Sequence, residues 1–268
     1  SNNIIGGDRL IGGGILGQGN LVSSNGGDGI IVFGPDASDN VLSGNYIGTD
    51  INGDSAWPNF FGIGLQLHAS VRNRIGGLGV GEGNVVSGHS FCQVQIEGMG
   101  AQSNVVVGNR IGTDRNAERG FGGGYGIRIE NQAAGNIVGG KAPGQRNIIS
   151  GNVDGVVIND LGTTNNLVIG NWIGIDATGT NALGNANYGI AFNLGSQYNR
   201  IGGSLPGEGN VISGNGIGIA IMHPSNQRNT VSGNLVGLDP TGALPVGNRN
   251  GGVMIWGGAN HNLLGGAT

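Results

Sequence analysis

Charge is scarce in this chain: Asp, Glu, Lys and Arg supply 10% of its 268 residues, against about 25% in an ordinary globular protein. With a net charge of −4 and Lys and Arg scattered along the sequence, there is no basic stripe of the kind nucleic acid or an anionic membrane requires, and neither partner is expected. No run approaches the ~18 consecutive apolar residues of a spanning helix, so no membrane insertion is expected. The opening SNNIIGG is neither the basic nor the apolar part of a signal peptide; if the protein is secreted, its signal has been removed. A single cysteine, Cys92, excludes an internal disulfide and a thiolate metal cluster and reads as a small residue at a strand entry. No cofactor is expected.

Glycine is what the chain has instead. Gly (61) and Pro (7) together make about a quarter of it, which without a period would suggest low complexity. A period is present. The words GNLVSSN, GNVVSGH, RNIISGN and GNVISGN place Asn20, Asn84, Asn147 and Asn210 at intervals of 64, 63 and 63. GNYIGTD, GNRIGTD, GNWIGID and GNLVGLD place Asn45, Asn109, Asn171 and Asn234 at intervals of 64, 62 and 63. Four units of about 63 residues therefore fill residues 1–268 as one domain, and each divides into two coils of about 31.

Every coil holds three short strands separated by Gly and Asn turns: a G-(aliphatic)-x-(aliphatic) segment, an N-x-(aliphatic) segment and a GN-x-(aliphatic) segment. Alternation points one set of apolar residues inward. In the first strand these are Ile30 and Val32, Ile63 and Leu65, Val94 and Ile96, Ile127 and Ile129, Val156 and Ile158, Ile190 and Phe192, Ile219 and Ile221, Val253 and Ile255. The second strand contributes Leu42 through Leu264 and the third Val22 through Val236, one residue per coil. Two asparagine columns run beside them. One comprises Asn20, Asn45, Asn84, Asn109, Asn147, Asn171, Asn210 and Asn234; the other Asn40, Asn73, Asn104, Asn136, Asn166, Asn199, Asn229 and Asn262. Amides stacked at the ~4.8 Å strand spacing can bond one another and the turn backbone. The fold expected is all-β: a right-handed parallel β-helix of about eight coils with three parallel sheets.

At these residues the chain resembles the right-handed parallel β-helix repeat proteins of the pectate-lyase-like superfamily. It is most similar to the Asn/Gly-rich type of large secreted bacterial surface proteins, through words such as NRIGG, GEGNVISGN and IGTD. The resemblance covers essentially the whole chain. It implies an extracellular or cell-surface solenoid, but that superfamily includes lyases, polygalacturonases, epimerases, phage tailspikes and adhesins, so it selects no reaction. The chain has no equivalent of the clustered aspartates and arginine of pectate lyases, the paired aspartates of polygalacturonases or the Asp-Pro-His word of the epimerases.

Candidate sites follow from the outward positions. On the first sheet Gln66, Gln95, Glu97, Arg128, Glu130, Asn159 and Asn193 form a polar column with His68 and Asp160 at its margin. Glu97 and Glu130 fall one coil apart, close enough for repulsion to raise one pKa as acid/base chemistry requires, unless Arg128 neutralises them. A glycan-binding or catalytic groove and a salt-bridged solvated face are the two readings. Asp50, Asp114, Asp176 and Asp239 recur in IGTD, IGTD, IGID and VGLD, either as a metal array or, more simply, as turn starters. Outward on the third sheet runs an apolar stripe with Tyr46, Arg110, Trp172 and Leu235, an association surface unless loops of the chain cover it. Phe61, Tyr125 and Tyr188 recur at loop ends and read as structural. The histidines have no metal-ligand spacing. Neither SNNIIGG nor ANHNLLGGAT looks like a cap, suggesting a segment of a longer solenoid or a subunit that stacks head to tail. The leading expectation is a non-enzymatic structural or adhesive element whose partners are itself or an extracellular glycan. The alternative is a polysaccharide-binding or polysaccharide-modifying protein using the first-sheet groove.

Overall fold

The computed structural model describes residues 1–265. Short strands separated by tight turns wind into a parallel β-solenoid of about eight coils with three parallel sheets, of eight, nine and eight strands in the order first, second and third. The one helical piece among the described residues is a 3₁₀ turn at Pro143–Gln145.

Like positions stack. In the second sheet Ile75, Val106, Val138 and Val168 align coil on coil, and in the third Val86, Ile111, Ile149 and Ile173 do the same. These side chains and their first-sheet equivalents form one continuous core. A coil alone buries little, because its inward residues are covered only by those above and below.

The second coil departs from the expected frame. Leu65 pairs with Ile30 and Val94, and Leu67 with Val32 and Ile96, so Leu65 and Leu67 are its inward pair. Ile63 instead aligns with Cys92 at the strand entry. The longer loop of this coil, ending PNFFG, conceals the register. Phe61 is 68% exposed and does not share a column with Tyr125 and Tyr188, which flank Asp154 at the strand entry.

Both asparagine rows are continuous. In the row at the turn between second and third sheets each Nδ2 donates to the Oδ1 of the next coil, as from Asn84 to Asn109 (2.9 Å) and from Asn109 to Asn147 (3.0 Å). The other row begins at Asn3, which donates to Asn40 at 2.7 Å. Each rung's Oδ1 also accepts the backbone N–H of its neighbour, so the buried turns are satisfied by side chains.

A third row lies where the third sheet turns into the first. It runs Asn25 to Asn59, then His89, and later Asn152, Asn185, Asn215 and Asn248. Its fourth coil has Gly123, and the amide of Gln93 fills the vacant place: a Cβ on Gly123 would lie 2.6 Å from Gln93 Nε2. Gln93 Oε1 accepts from the His89 backbone N–H (3.1 Å) and lies 2.9 Å from its Nδ1. His89 Nε2 lies 3.0 Å from Asn59 Nδ2, which donates to it. The imidazole is therefore neutral with its proton on Nδ1, and burial pushes its pKa down to about 4.

Candidate functional site

Parallel register puts outward side chains of the first sheet into columns. One runs Phe33, His68, Glu97, Glu130, and the neighbouring one Ile31, Gln66, Gln95, Arg128. His68 is thus a member of the carboxylate column, not its margin. The six polar residues from Gln66 to Glu130 form one hydrogen-bonded cluster.

Its carboxylates are well supplied with donors. Glu97 Oε1 accepts from Gln66 Nε2 (2.8 Å) and lies 2.9 Å from His68 Nδ1. Its Oε2 accepts longer bonds from Gln95 and Asn131, both 3.3 Å. Gln95 Nε2 also donates to Glu130 Oε1 at 2.6 Å, so one amide bridges the two acids. Arg128 meets Glu130 Oε2 at 2.5 Å. The guanidinium lies over the Phe91 and Tyr125 rings, and Phe33 stacks on His68 at 4.8 Å. Amide and guanidinium donors thus stand between the two carboxylates, which are bridged rather than set directly against each other.

Asn159 and Asp160 stand one coil further on. They bond each other at 3.1 Å, and Asp160 Oδ2 accepts the Asn131 N–H. The neighbouring column turns apolar in this same coil and stays so beyond it, with Val157, Ala191 and Ala220 packed against Tyr188 and Trp256. A cleft of about 170 Å³ opens at this boundary, between Arg128, Asp154, Asn159 and Tyr188. Asp154 is buried, and desolvation raises its pKa against the Tyr188 N–H it accepts at 3.3 Å. Sequence reasoning missed this carboxyl. Aligning YGIRIE, DGVVIN and YGIAFN on their glycines would have exposed it as the acidic member of a tyrosine column.

The recurrent aspartates cap turns. Asp50 Oδ1 accepts the N–H of Asp54 and Ser55, Asp114 those of Glu118 and Arg119, Asp176 those of Gly179 and Asn181, and Asp239 those of Ala243 and Leu244. Among the described residues no group of three or more His, Cys, Asp or Glu side chains is placed to hold a metal ion.

Of the two readings of the third-sheet stripe, an exposed association surface or one covered by loops of the chain, burial favours the second. Tyr46, Val85 and Val211 are buried, while Arg110, Trp172 and Leu235 are half-buried. Two walls of loops enclose the stripe as the floor of a trough. One wall stacks the loops at 7–20, 77–84, 140–147 and 203–210, beginning with the Arg9 N–H donating to Gly81 O. The other stacks the hairpins that carry the turn aspartates, through Arg115 N–H to Gly53 O and Ala177 N–H to Ala117 O. In comparisons with known proteins, no family model matches the chain and no curated protein is significantly similar to it.

Proposed function

We propose that the chain is a non-catalytic, extracellular structural or adhesive solenoid whose partners are further copies of itself or a glycan. The observation that carries this reading is the pairing within the first-sheet cluster. A general acid needs a carboxyl held protonated, and a general base needs a free lone pair facing substrate. Glu97 and Glu130 instead share amide donors with each other, and Glu130 is closed by Arg128. Their arrangement suits a rigid face better than a reaction centre. The extracellular placement is supported by the resemblance of the repeat to secreted surface proteins. Incubation with a panel of uronate and neutral polysaccharides is expected to leave chain length and sugar configuration unchanged. Release of unsaturated or shortened products, abolished by Glu130→Gln, would overturn the reading.

The cleft beside Asp154 favours a second reading, in which the boundary between the polar and apolar halves of the first sheet binds sugar. A carboxyl, a guanidinium and two tyrosines converge there, the mixture of polar donors and flat apolar faces that suits carbohydrate. Asp154→Asn and Tyr188→Ala would each weaken oligosaccharide binding at this cleft; unchanged affinity in both would rule it out.

A further inference from the structure

The trough on the third sheet holds two cations that nothing among the described residues neutralises. Arg110 and Arg146 are half-buried, one on its floor and one at the foot of a wall. Neither guanidinium forms an ion pair or a hydrogen bond among the described residues, and the Nε of each is buried without a partner. A guanidinium carries five N–H donors, and leaving them unmet in a desolvated place is costly. The acids nearby are committed elsewhere. Glu208 holds Lys141 at 3.0 Å and Arg200 at 3.1 Å, Glu82 accepts the Leu78 N–H at 2.9 Å, and Asp114 caps its own hairpin. Arg9, toward the N-terminal end of the trough, is spent on Gly83 O and the Tyr46 ring.

Beside these two cations the trough is apolar. Arg110, Ile148, Trp172, Val211 and Leu235 follow one another in a single column of successive coils, about 19 Å from end to end at the strand spacing. Only the first carries charge. Val211 packs with Trp172, Leu235 and Val246 in an apolar cluster separate from the solenoid core, and Arg146 lies over the Trp172 ring at 4.1 Å. A cleft of about 270 Å³ contains Arg110, Arg146 and the exposed aliphatics Leu78 and Val80. At Pro143, Arg146 and Trp172 it meets a larger cleft of about 640 Å³, lined by Leu205, Pro206, Leu235 and Pro240. Lys141 borders the larger cleft, already paired with Glu208. Unpaired positive charge is therefore confined to one end of a continuous, largely apolar groove.

We propose that the trough binds a single-tailed anionic amphiphile, a fatty carboxylate or an alkyl phosphate, its head received by Arg110 and Arg146 and its tail laid along Trp172 and Leu235. The planar fork of a guanidinium matches the oxygens of such a head. A small-molecule groove of this size is mostly apolar with a few placed polar groups. The asymmetry of the groove decides the class of ligand. A polyanion needs cations repeated along its length, and past Arg146 the unpaired ones stop. A neutral lipid leaves both guanidiniums unmet. A bound amphiphile leaves the scaffold reading untouched, since the first-sheet cluster lies on another face.

The test is calorimetric titration with sodium decanoate and with decyl phosphate, both below their micelle-forming concentrations. 1-Decanol, acetate, decyltrimethylammonium and hexaglutamate serve as comparisons. One anion bound per chain is the expected result, the tighter of the two identifying the head, with every comparison molecule weaker by about tenfold or more. From octanoate to decanoate, affinity is expected to rise about threefold with each added methylene. Arg110→Gln with Arg146→Gln is expected to lower affinity for the anions by about tenfold and to leave that for 1-decanol unchanged. Arg228→Gln, an exposed position, is expected to change neither, and melting curves identify a variant that has lost its fold. If the double variant does not fold, Arg146→Lys, which keeps the charge and removes the planar fork, replaces it, with a loss of about threefold expected. Absence of binding by both anions, indifference to tail length, equal affinity for 1-decanol or decyltrimethylammonium, hexaglutamate binding as tightly as either anion, or undiminished affinity in the folded variants would overturn the assignment.

Discussion

The row of asparagines between the second and third sheets and the row between the third and first sheets perform the same task with different fidelity. The first passes from Asn20 to Asn234 with one residue type throughout. The second changes at His89, loses its side chain at Gly123 and borrows Gln93 from a strand position occupied by glycine in the neighbouring coils. What is preserved is the pattern of donors and acceptors, not the amino acid. The cost appears at the junction, where Asn152 Oδ1 is buried with no partner. A buried turn must be satisfied by some side chain, and asparagine is the residue that does it with the same geometry in every coil.

The contrast can be broken most severely in the complete row. Asn109→Ala removes a side chain that donates to Ile75 O, Val107 O and Asn147 and accepts from Asn84, and should cost about 3–5 kcal/mol in denaturant unfolding. Asn152→Ala, in the interrupted row, should cost roughly 1 kcal/mol less because its oxygen already lacks a partner. Equal losses would mean that the interruption has no energetic consequence.

His89 sharpens the same contrast through pH. Its folded pKa is depressed to about 4 from an unfolded value near 6.5, so between those values the unfolded chain binds more protons. Stability contributed by the neutral imidazole is therefore complete above about pH 6.5 and falls as pH drops toward 4, by on the order of 3 kcal/mol. His89→Gln should flatten that part of the stability profile; an unaltered slope would place the dependence elsewhere. A smaller loss, about 1–3 kcal/mol, is expected for Arg128→Met, which leaves Glu130 buried without its cation. The least is expected for Asp239→Ala, which removes the acceptor of two turn N–H groups in one hairpin. Melting temperatures across the set would rank these effects.

The solenoid was legible because its determinants repeat. Inward aliphatics and two amide rows recur at every coil, and pairing is set by the same residues that carry the period. The third row was not legible: His89 and Gly123 interrupt it, and the turns around Asn59, Asn152 and Asn185 differ in length. The polar cluster was found from Glu97 and Glu130, yet the shifted frame of the second coil set His68 beside the column it belongs to. Arg9 lies in the loop of the first coil, and Arg146 stands where the corresponding words of the other units have Gly19, Gly83 and Gly209, so no recurring column of cations marks either residue. Asp154 was hidden by its dissimilarity to Tyr125 and Tyr188.

In the two continuous rows every amide-to-amide bond runs the same way, from the Nδ2 of one rung to the Oδ1 of the rung in the following coil. The small dipoles therefore add head to tail, and each bond polarises the next. Such a column has a sense, like an arrow: another coil can extend it only in the same orientation, because reversal would bring oxygen against oxygen or N–H against N–H. Direction along the axis is thus written into a side chain that carries no net charge.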